Sequence, residues 1–155
     1  MTRTDDDPSR DDDEAIRSLV IAYAEHLDAG DLDGVAALFD QGEFRSTRRG
    51  EALVGREAVR AMYAPVIVYD DGTPRTKHVL GNIQVDVASP DSSEATARCT
   101  FTVLQAVPDG SLRAILVGRY HDRFVRSDGA WHFAARTVHP DLVGDLSEHM
   151  GRGRR

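Results

Sequence analysis

Apolar residues recur every three or four positions in the first part of the chain. From Glu14 onward they fall on one side of a helix: Ile16, Leu19, Val20, Tyr23 and Leu27. Asp11, Asp12 and Asp13 stand just before them, where acidic side chains stabilise the positive end of a helix dipole. The pattern predicts a first helix over residues 13–28.

Two shorter helices are predicted to follow. Gly30 ends the first helix, and Asp31 can cap a second one that begins at Leu32. Gly55 opens a third helix, which Pro65 ends or bends. Between the second and third helices there is room for a short strand over residues 43–47, followed by a polar turn over residues 48–50.

After the turn Asp70-Asp71-Gly72 the apolar period changes from the helical value to two, which is typical of strands. One strand is predicted near residues 79–87, and three long antiparallel strands over residues 94–107, 112–126 and 131–138. Helices followed by an antiparallel sheet predict an α+β fold, in which the helices cover the concave face of the sheet. A cavity can form between the two layers.

Composition narrows the class of protein. The chain has 155 residues, of which 41% are hydrophobic and 29% charged, as expected for one soluble globular domain. Its net charge of -7 and the lack of a Gly-rich phosphate loop argue against nucleic-acid and nucleotide partners. No apolar stretch resembles a signal peptide or membrane span, so we expect a cytoplasmic protein without a membrane partner.

The chain ends differ in composition from the middle. Six Asp and one Glu crowd into residues 4–14. We therefore expect a disordered acidic tail over residues 1–12, one domain over residues 13–150, and a mobile basic end over residues 151–155.

Two segments carry a family resemblance: YAEHLDAGD at residues 23–31 and RFVRSDGAWHF at residues 123–133. Together with the order of elements they resemble the SnoaL-like domains of the nuclear transport factor 2-like superfamily. The resemblance implies a cone-shaped barrel, in which a strongly bent mixed or antiparallel sheet is covered by about three N-terminal helices around an internal pocket. Members include scytalone dehydratase, bile-acid dehydratase, ketosteroid isomerase, polyketide cyclases and non-catalytic binding modules.

Within this superfamily, the motif residues of the chain resemble those of the dehydratases most specifically. Asp28 and His78 correspond to the Asp and His that act together in those enzymes, and Tyr23 corresponds to the catalytic tyrosine of bile-acid dehydratase. The resemblance implies that Asp28 orients His78, which acts as the base, while Tyr23 polarises a carbonyl. The second strand histidine of scytalone dehydratase falls near Cys99 here, so the substrate is expected to differ.

Further residues are predicted to contact the substrate. They are Tyr63, Cys99, Phe101, Tyr120 and His139. We assign no metal and no cofactor, because His132, His139 and Asp141 lack a compact ligand spacing. A basic cluster of Arg45, Arg48, Arg49 and Arg56 is interpreted as a solubilising surface.

The resulting hypothesis is a cofactor-independent dehydratase for a small cyclic or polyketide-like hydroxy ketone. A cyclase or isomerase remains open, because the same base can form an enolate with another fate. A non-catalytic binding module remains open as well. We also expect a homodimer, because the long strands carry apolar residues on both faces.

Overall fold

The chain folds as α+β, as the sequence predicts. The computed structural model describes residues 8–151. Within them the helices and strands are α1 (Pro8–Asp28), α2 (Leu32–Ala37), β1 (Glu43–Ser46), β2 (Arg49–Val54), α3 (Gly55–Met62), β3 (Thr76–Val87), β4 (Glu94–Ala106), β5 (Leu112–Ser127) and β6 (Ala130–Val143). None of the helices in this part of the chain has the length and apolar character needed to cross a bilayer.

The strands form one sheet in the order β2-β1-β6-β5-β4-β3. Only β1 and β6 run parallel, and the other neighbours are antiparallel. The sheet is therefore mixed, as expected. It is not closed, because β2 and β3 are its two edges. α1 packs against β3 and β6, and the core lies between the helices and the inner face of the sheet.

Helix α1 begins at Pro8, five residues before the predicted start. Asp12 is buried, because its carboxylate accepts a hydrogen bond from Trp131 Nε1 at 2.9 Å and another from Arg126. Tertiary contacts thus extend the helix through residues 8–12, which were expected to be disordered. Residues 1–7 and 152–155 lie outside the described residues, whereas Gly151 donates a backbone hydrogen bond to Pro65 at 2.8 Å.

The turn between α1 and α2 depends on Gly30. Its φ of +74° lies in the left-handed region, and a Cβ there would come within 2.2 Å of the carbonyl oxygen of Gly72. The end of α1 therefore lies directly against the loop that leads into β3. This contact brings Asp28 and the start of β3 together. Asp31 caps α2 as predicted, by accepting a hydrogen bond from the backbone of Gly34 at 2.9 Å.

The strand β6 contains a β-bulge that changes which side chains face the core. Phe133 pairs with Phe124, but Ala135 pairs with Arg123, so Ala134 is an extra residue on β6. Simple alternation from Trp131 and Phe133 would turn odd-numbered residues inward throughout. After the bulge the even-numbered residues turn inward instead. Arg136 and Val138 are accordingly buried.

Candidate functional site

A cavity of about 190 Å³ lies between the helices and the inner face of the sheet. Its wall is mainly apolar and aromatic, and the polar groups in it come from a few side chains. Pockets for drug-sized ligands usually measure roughly 300 to 1,000 Å³. The cavity is smaller than these, so it suits a small organic molecule of about one ring.

Asp28 and His78 form a hydrogen-bonded pair at this cavity. The carboxylate Oδ1 lies 2.6 Å from His78 Nδ1, and Oδ2 accepts the backbone N–H of His78 at 2.8 Å. Thr76 Oγ1 donates to the same carboxylate at 2.9 Å. A carboxylate can only accept, so Nδ1 carries a proton, and in the neutral form of the imidazole Nε2 has the free lone pair. Because His78 lines the cavity, Nε2 is the nitrogen available to a ligand.

The local structure explains how Asp28 is held at this place. β3 is an edge strand, so some of its backbone N–H groups have no partner strand, and that of His78 is bonded by Asp28 instead. Asp28 is the last residue of α1, where the helix dipole disfavours a negative charge. Three donors from β3 compensate for this disadvantage.

The charge state of Asp28 follows from the same contacts. Burial raises the pKa of its carboxyl, but the hydrogen bonds from the His78 side chain and backbone, the charge of His78 and the Thr76 hydroxyl together outweigh burial. The pKa of Asp28 therefore lies below its ordinary value. The group is a carboxylate at neutral pH and can stabilise a protonated His78.

Three tyrosines contribute to the cavity wall: Tyr23, Tyr63 and Tyr120. The hydroxyls of Tyr23 and Tyr63 lie 2.6 Å apart. Burial raises the pKa of all three phenols. They are neutral at physiological pH, and a neutral phenol pair can donate one hydrogen bond to a carbonyl oxygen of a ligand.

A buried ion pair packs against the rings of two of these tyrosines, Tyr23 and Tyr120. Arg136 donates two hydrogen bonds to Asp122, at 2.8 and 2.6 Å, and both side chains are almost fully buried. Its guanidinium carbon lies 4.2 Å from the ring centroid of Tyr23 and 4.0 Å from that of Tyr120. The cation thus fixes the orientation of both rings.

The structure brings most of the predicted site residues together. His78, Tyr23, Tyr63, Phe101 and Tyr120 line the cavity. The predicted Asp28–His78 hydrogen bond is present, although Asp28 lies behind His78 and does not itself border the cavity.

Two predicted contacts are placed elsewhere. Cys99 faces the core but does not line the cavity, and burial raises the pKa of its thiol to about 11. His139 lies beside His121, with ring centroids 4.5 Å apart, and not in the cavity wall. The bulge in β6 turns Val138 inward and His139 away, so the structure does not place His139 in the wall of this cavity.

Other lining residues were not predicted. His149 and Met150 come from the segment after β6, and no periodic pattern in the sequence marks them as part of a pocket. Arg49 and Ser46 also line the cavity. The basic cluster did indicate Arg49, although it was interpreted as a solubilising surface. The burial of Arg136 behind the tyrosines could have been predicted only by anticipating the bulge in β6.

Comparison with known families identifies the chain. The sequence profile described as the SnoaL-like domain matches residues 8–137. The chain belongs to the SnoaL-like domain family. A comparison with curated proteins finds no match.

Solved structures share the fold of this chain. A nuclear transport factor 2-like protein with a cystatin-like fold from Novosphingobium aromaticivorans is 25% identical, with a TM-score of 0.70, over 90% of this chain and 88% of that one. A proposed scytalone dehydratase from the same organism is 24% identical, with a TM-score of 0.71, over 96% and 97%. The β subunit of a proposed aromatic-ring-hydroxylating dioxygenase, also from that organism, is 19% identical, with a TM-score of 0.71, over 93% and 99%. At these identities the likeness is one of fold.

Proposed function

We propose that the protein is a cofactor-independent dehydratase acting on a small cyclic hydroxy ketone. The observation that carries this proposal is the Asp28–His78 pair, in which a carboxylate fixes the imidazole tautomer and the other nitrogen is available to an apolar cavity. This arrangement makes a general base whose charged form is stabilised. The fold shared with a proposed scytalone dehydratase supports the same class of reaction.

The reaction assigns roles to His78, Asp28 and the Tyr23–Tyr63 pair. His78 Nε2 removes a proton from the carbon next to the carbonyl, while the Tyr23–Tyr63 pair donates a hydrogen bond to the oxygen that gains charge. Asp28 stabilises the resulting imidazolium. His78 then returns the proton to the β-hydroxyl, the C–O bond breaks, and the products are an enone and one water molecule.

A small substrate of this class is 3-hydroxycyclohexanone, which would lose water to form cyclohex-2-enone. The experiment adds this compound and a series of larger cyclic β-hydroxy ketones to the purified protein and follows the ultraviolet absorbance of the enone. We expect turnover by the parent protein and almost none by His78→Ala. The variant should remain folded, because Asp28 keeps the donors Thr76 Oγ1 and the backbone N–H of residue 78.

A matched control is His132→Ala, which removes an imidazole that does not line the cavity. This variant should retain the parent rate. Full activity in a folded His78→Ala protein would overturn the assignment of the base, and an absence of turnover over the whole series would overturn the dehydratase.

A non-catalytic module is the second candidate function. It is favoured by the shared fold with the β subunit of a proposed ring-hydroxylating dioxygenase, because such a subunit belongs to a larger assembly. In that case the cavity would bind a ligand, and Asp28 and His78 would serve as a buried polar pair. Ligand binding without turnover, unaffected by His78→Ala, would support this alternative.

A further inference from the structure

The segment that follows β6 covers one side of the cavity. Leu146, His149 and Met150 all line it. The segment is fixed by backbone hydrogen bonds: Ile67 donates to the carbonyl of His149 at 2.8 Å, and Gly151 donates to that of Pro65 at 2.8 Å. His149 is therefore held at the cavity by backbone hydrogen bonds at its own carbonyl and two residues further on.

Side chains hold the same segment from the other direction. Gln105, which is fully buried, donates from Nε2 to the carbonyl of Glu148 at 2.9 Å. Tyr69 donates its hydroxyl to the same carbonyl at 2.6 Å. The residue immediately before His149 is thus bound twice, which limits the movement of the imidazole.

The imidazole of His149 has an unusual hydrogen-bonding state. Its Nδ1 is buried and has no hydrogen-bond partner among residues 8–151. A protonated ring would place an N–H at Nδ1 without an acceptor, which is costly in a buried position. Burial and the nearby charge of His78 also lower the pKa of His149. The ring is therefore neutral and can carry its single proton on Nε2.

We infer that His149 is a substrate-binding residue, whose neutral imidazole donates a hydrogen bond from Nε2 to the hydroxyl group that leaves. The inference rests on the proposed function, because it names the part of the hydroxy ketone that this side chain recognises. The hydroxyl is favoured over the carbonyl for two reasons. The Tyr23–Tyr63 pair already offers a donor for the carbonyl, and the oxygen that accepts the proton from His78 must lie near that base, which lines the same cavity as His149.

This role differs from that of His78. Asp28 stabilises the positive charge on His78, whereas no carboxylate hydrogen-bonds to His149 among the described side chains. Two histidines with opposed environments at one cavity suit two tasks: one transfers the proton, and the other holds an oxygen without competing for that proton.

The test compares two probes that differ by one hydroxyl group, 3-hydroxycyclohexanone and cyclohexanone. Their affinities are measured by calorimetric titration on the parent, His149→Phe and His149→Gln. We expect the parent to bind the hydroxylated probe about five- to tenfold more tightly, as one neutral hydrogen bond allows. The ratio should fall to near one in His149→Phe and recover in part in His149→Gln, whose amide is also a neutral donor.

A second measurement uses the parent protein alone and does not depend on the folding of a variant. With ¹⁵N-labelled histidine, the Nε2 resonance of His149 should shift on addition of 3-hydroxycyclohexanone and stay in place with cyclohexanone. A parent protein that shows neither the preference nor the shift overturns the inference, as does a folded His149→Phe variant that keeps the preference. Binding with the expected preference but without turnover would overturn the dehydratase and leave this role of His149 standing.

Discussion

At the scale of single residues, the role of Asp28 can be separated from that of the tyrosine. Asp28→Asn keeps the shape but removes the negative charge that stabilises a protonated His78. We expect a loss of turnover on the order of 10³-fold or more, as for triads that lose their carboxylate. Tyr23→Phe should cost less, on the order of 10²-fold, because Tyr63 still offers a hydroxyl at the same place. Enone absorbance gives both rates, and thermal unfolding shows whether each variant is folded. Equal losses in the two variants would contradict these roles.

His149 should make stability depend on pH. Its pKa in the folded protein lies below the ordinary value of 6.5, because of burial and the charge of His78. As pH falls below 6.5, the unfolded chain takes up a proton that the folded chain does not. The folded state is therefore destabilised from that pH down to the folded pKa. Urea unfolding at pH 7.5 and near pH 5.5 should show a smaller loss of stability for His149→Gln than for the parent. An equal loss in both would show that His149 titrates normally.

The buried Arg136–Asp122 ion pair should matter for the stability of the folded protein. Arg136→Met leaves the Asp122 carboxylate buried without its two donors, and we expect a destabilisation of about 3–5 kcal/mol. Replacing both residues, as in Asp122→Leu with Arg136→Met, should cost clearly less, because no unpaired charge then remains in the core. The free energy of unfolding in urea, measured for both single variants and the double variant, gives the coupling energy. A purely additive result would contradict the importance of the pair.

At the scale of elements, the start of α1 depends on the contact of Asp12 with β5 and β6. Asp12→Ala removes the acceptor of Trp131 Nε1 and of Arg126, and we expect a destabilisation of about 1–3 kcal/mol. Trp131 is the only tryptophan of the chain, so its fluorescence reports directly on this contact. A matched control is Asp11→Ala, because Asp11 is exposed at the same end of the helix. Equal unfolding curves for the two variants would show that Asp12 does not anchor the helix.

Elements with a strong apolar period were predicted well, and those without one were not. The helices and the four long strands carry alternating or helical patterns, because one face of each is buried. β2 was missed: its first two residues were predicted as part of a polar turn and the others were assigned to no element, since the strand is mostly exposed and is held mainly by pairing with β1. β6 continues to Val143, past Pro140, where a register shift accommodates the proline opposite Gly118.

The candidate site was predictable only in part, because most of its residues are brought together by tertiary contacts and not by a periodic pattern. Asp28 and His78 lie 78 − 28 = 50 positions apart, and no periodicity links them, so only the family resemblance indicated the pair. Tyr120 and Phe101 followed from the faces of their strands, and Tyr23 followed from the resemblance. Arg136 and His139 depend on one bulge in β6, and His149 depends on how the last segment packs. Neither of these tertiary features leaves a local signal in the sequence.

At the scale of the whole molecule, the outer face of the sheet carries a largely apolar row of four residues that runs across four strands. Val79, Thr102, Val117 and Leu142 are consecutive partners across β3, β4, β5 and β6. Val79 is 50% exposed and Leu142 67%. The neighbouring row is largely polar, with Thr100, Arg119 and His139, so the expectation of broadly apolar strands on both faces is too general.

The apolar row allows a more specific prediction of the interface in the expected homodimer. In a twofold interface the same patch meets itself, so the apolar row of one copy would cover that of the other. Leu142→Asp and Val79→Asp would then each place two charges in the interface, and we expect both variants to be monomers while the parent is a dimer. Val54→Asp is the matched control, because Val54 is 71% exposed but lies on the opposite edge strand, β2. Light scattering after size-exclusion chromatography gives the mass of each species. A chain mass of 17.0 kDa for the parent at all concentrations would contradict the dimer, and a dimer that survives both row variants would mean that another surface forms it.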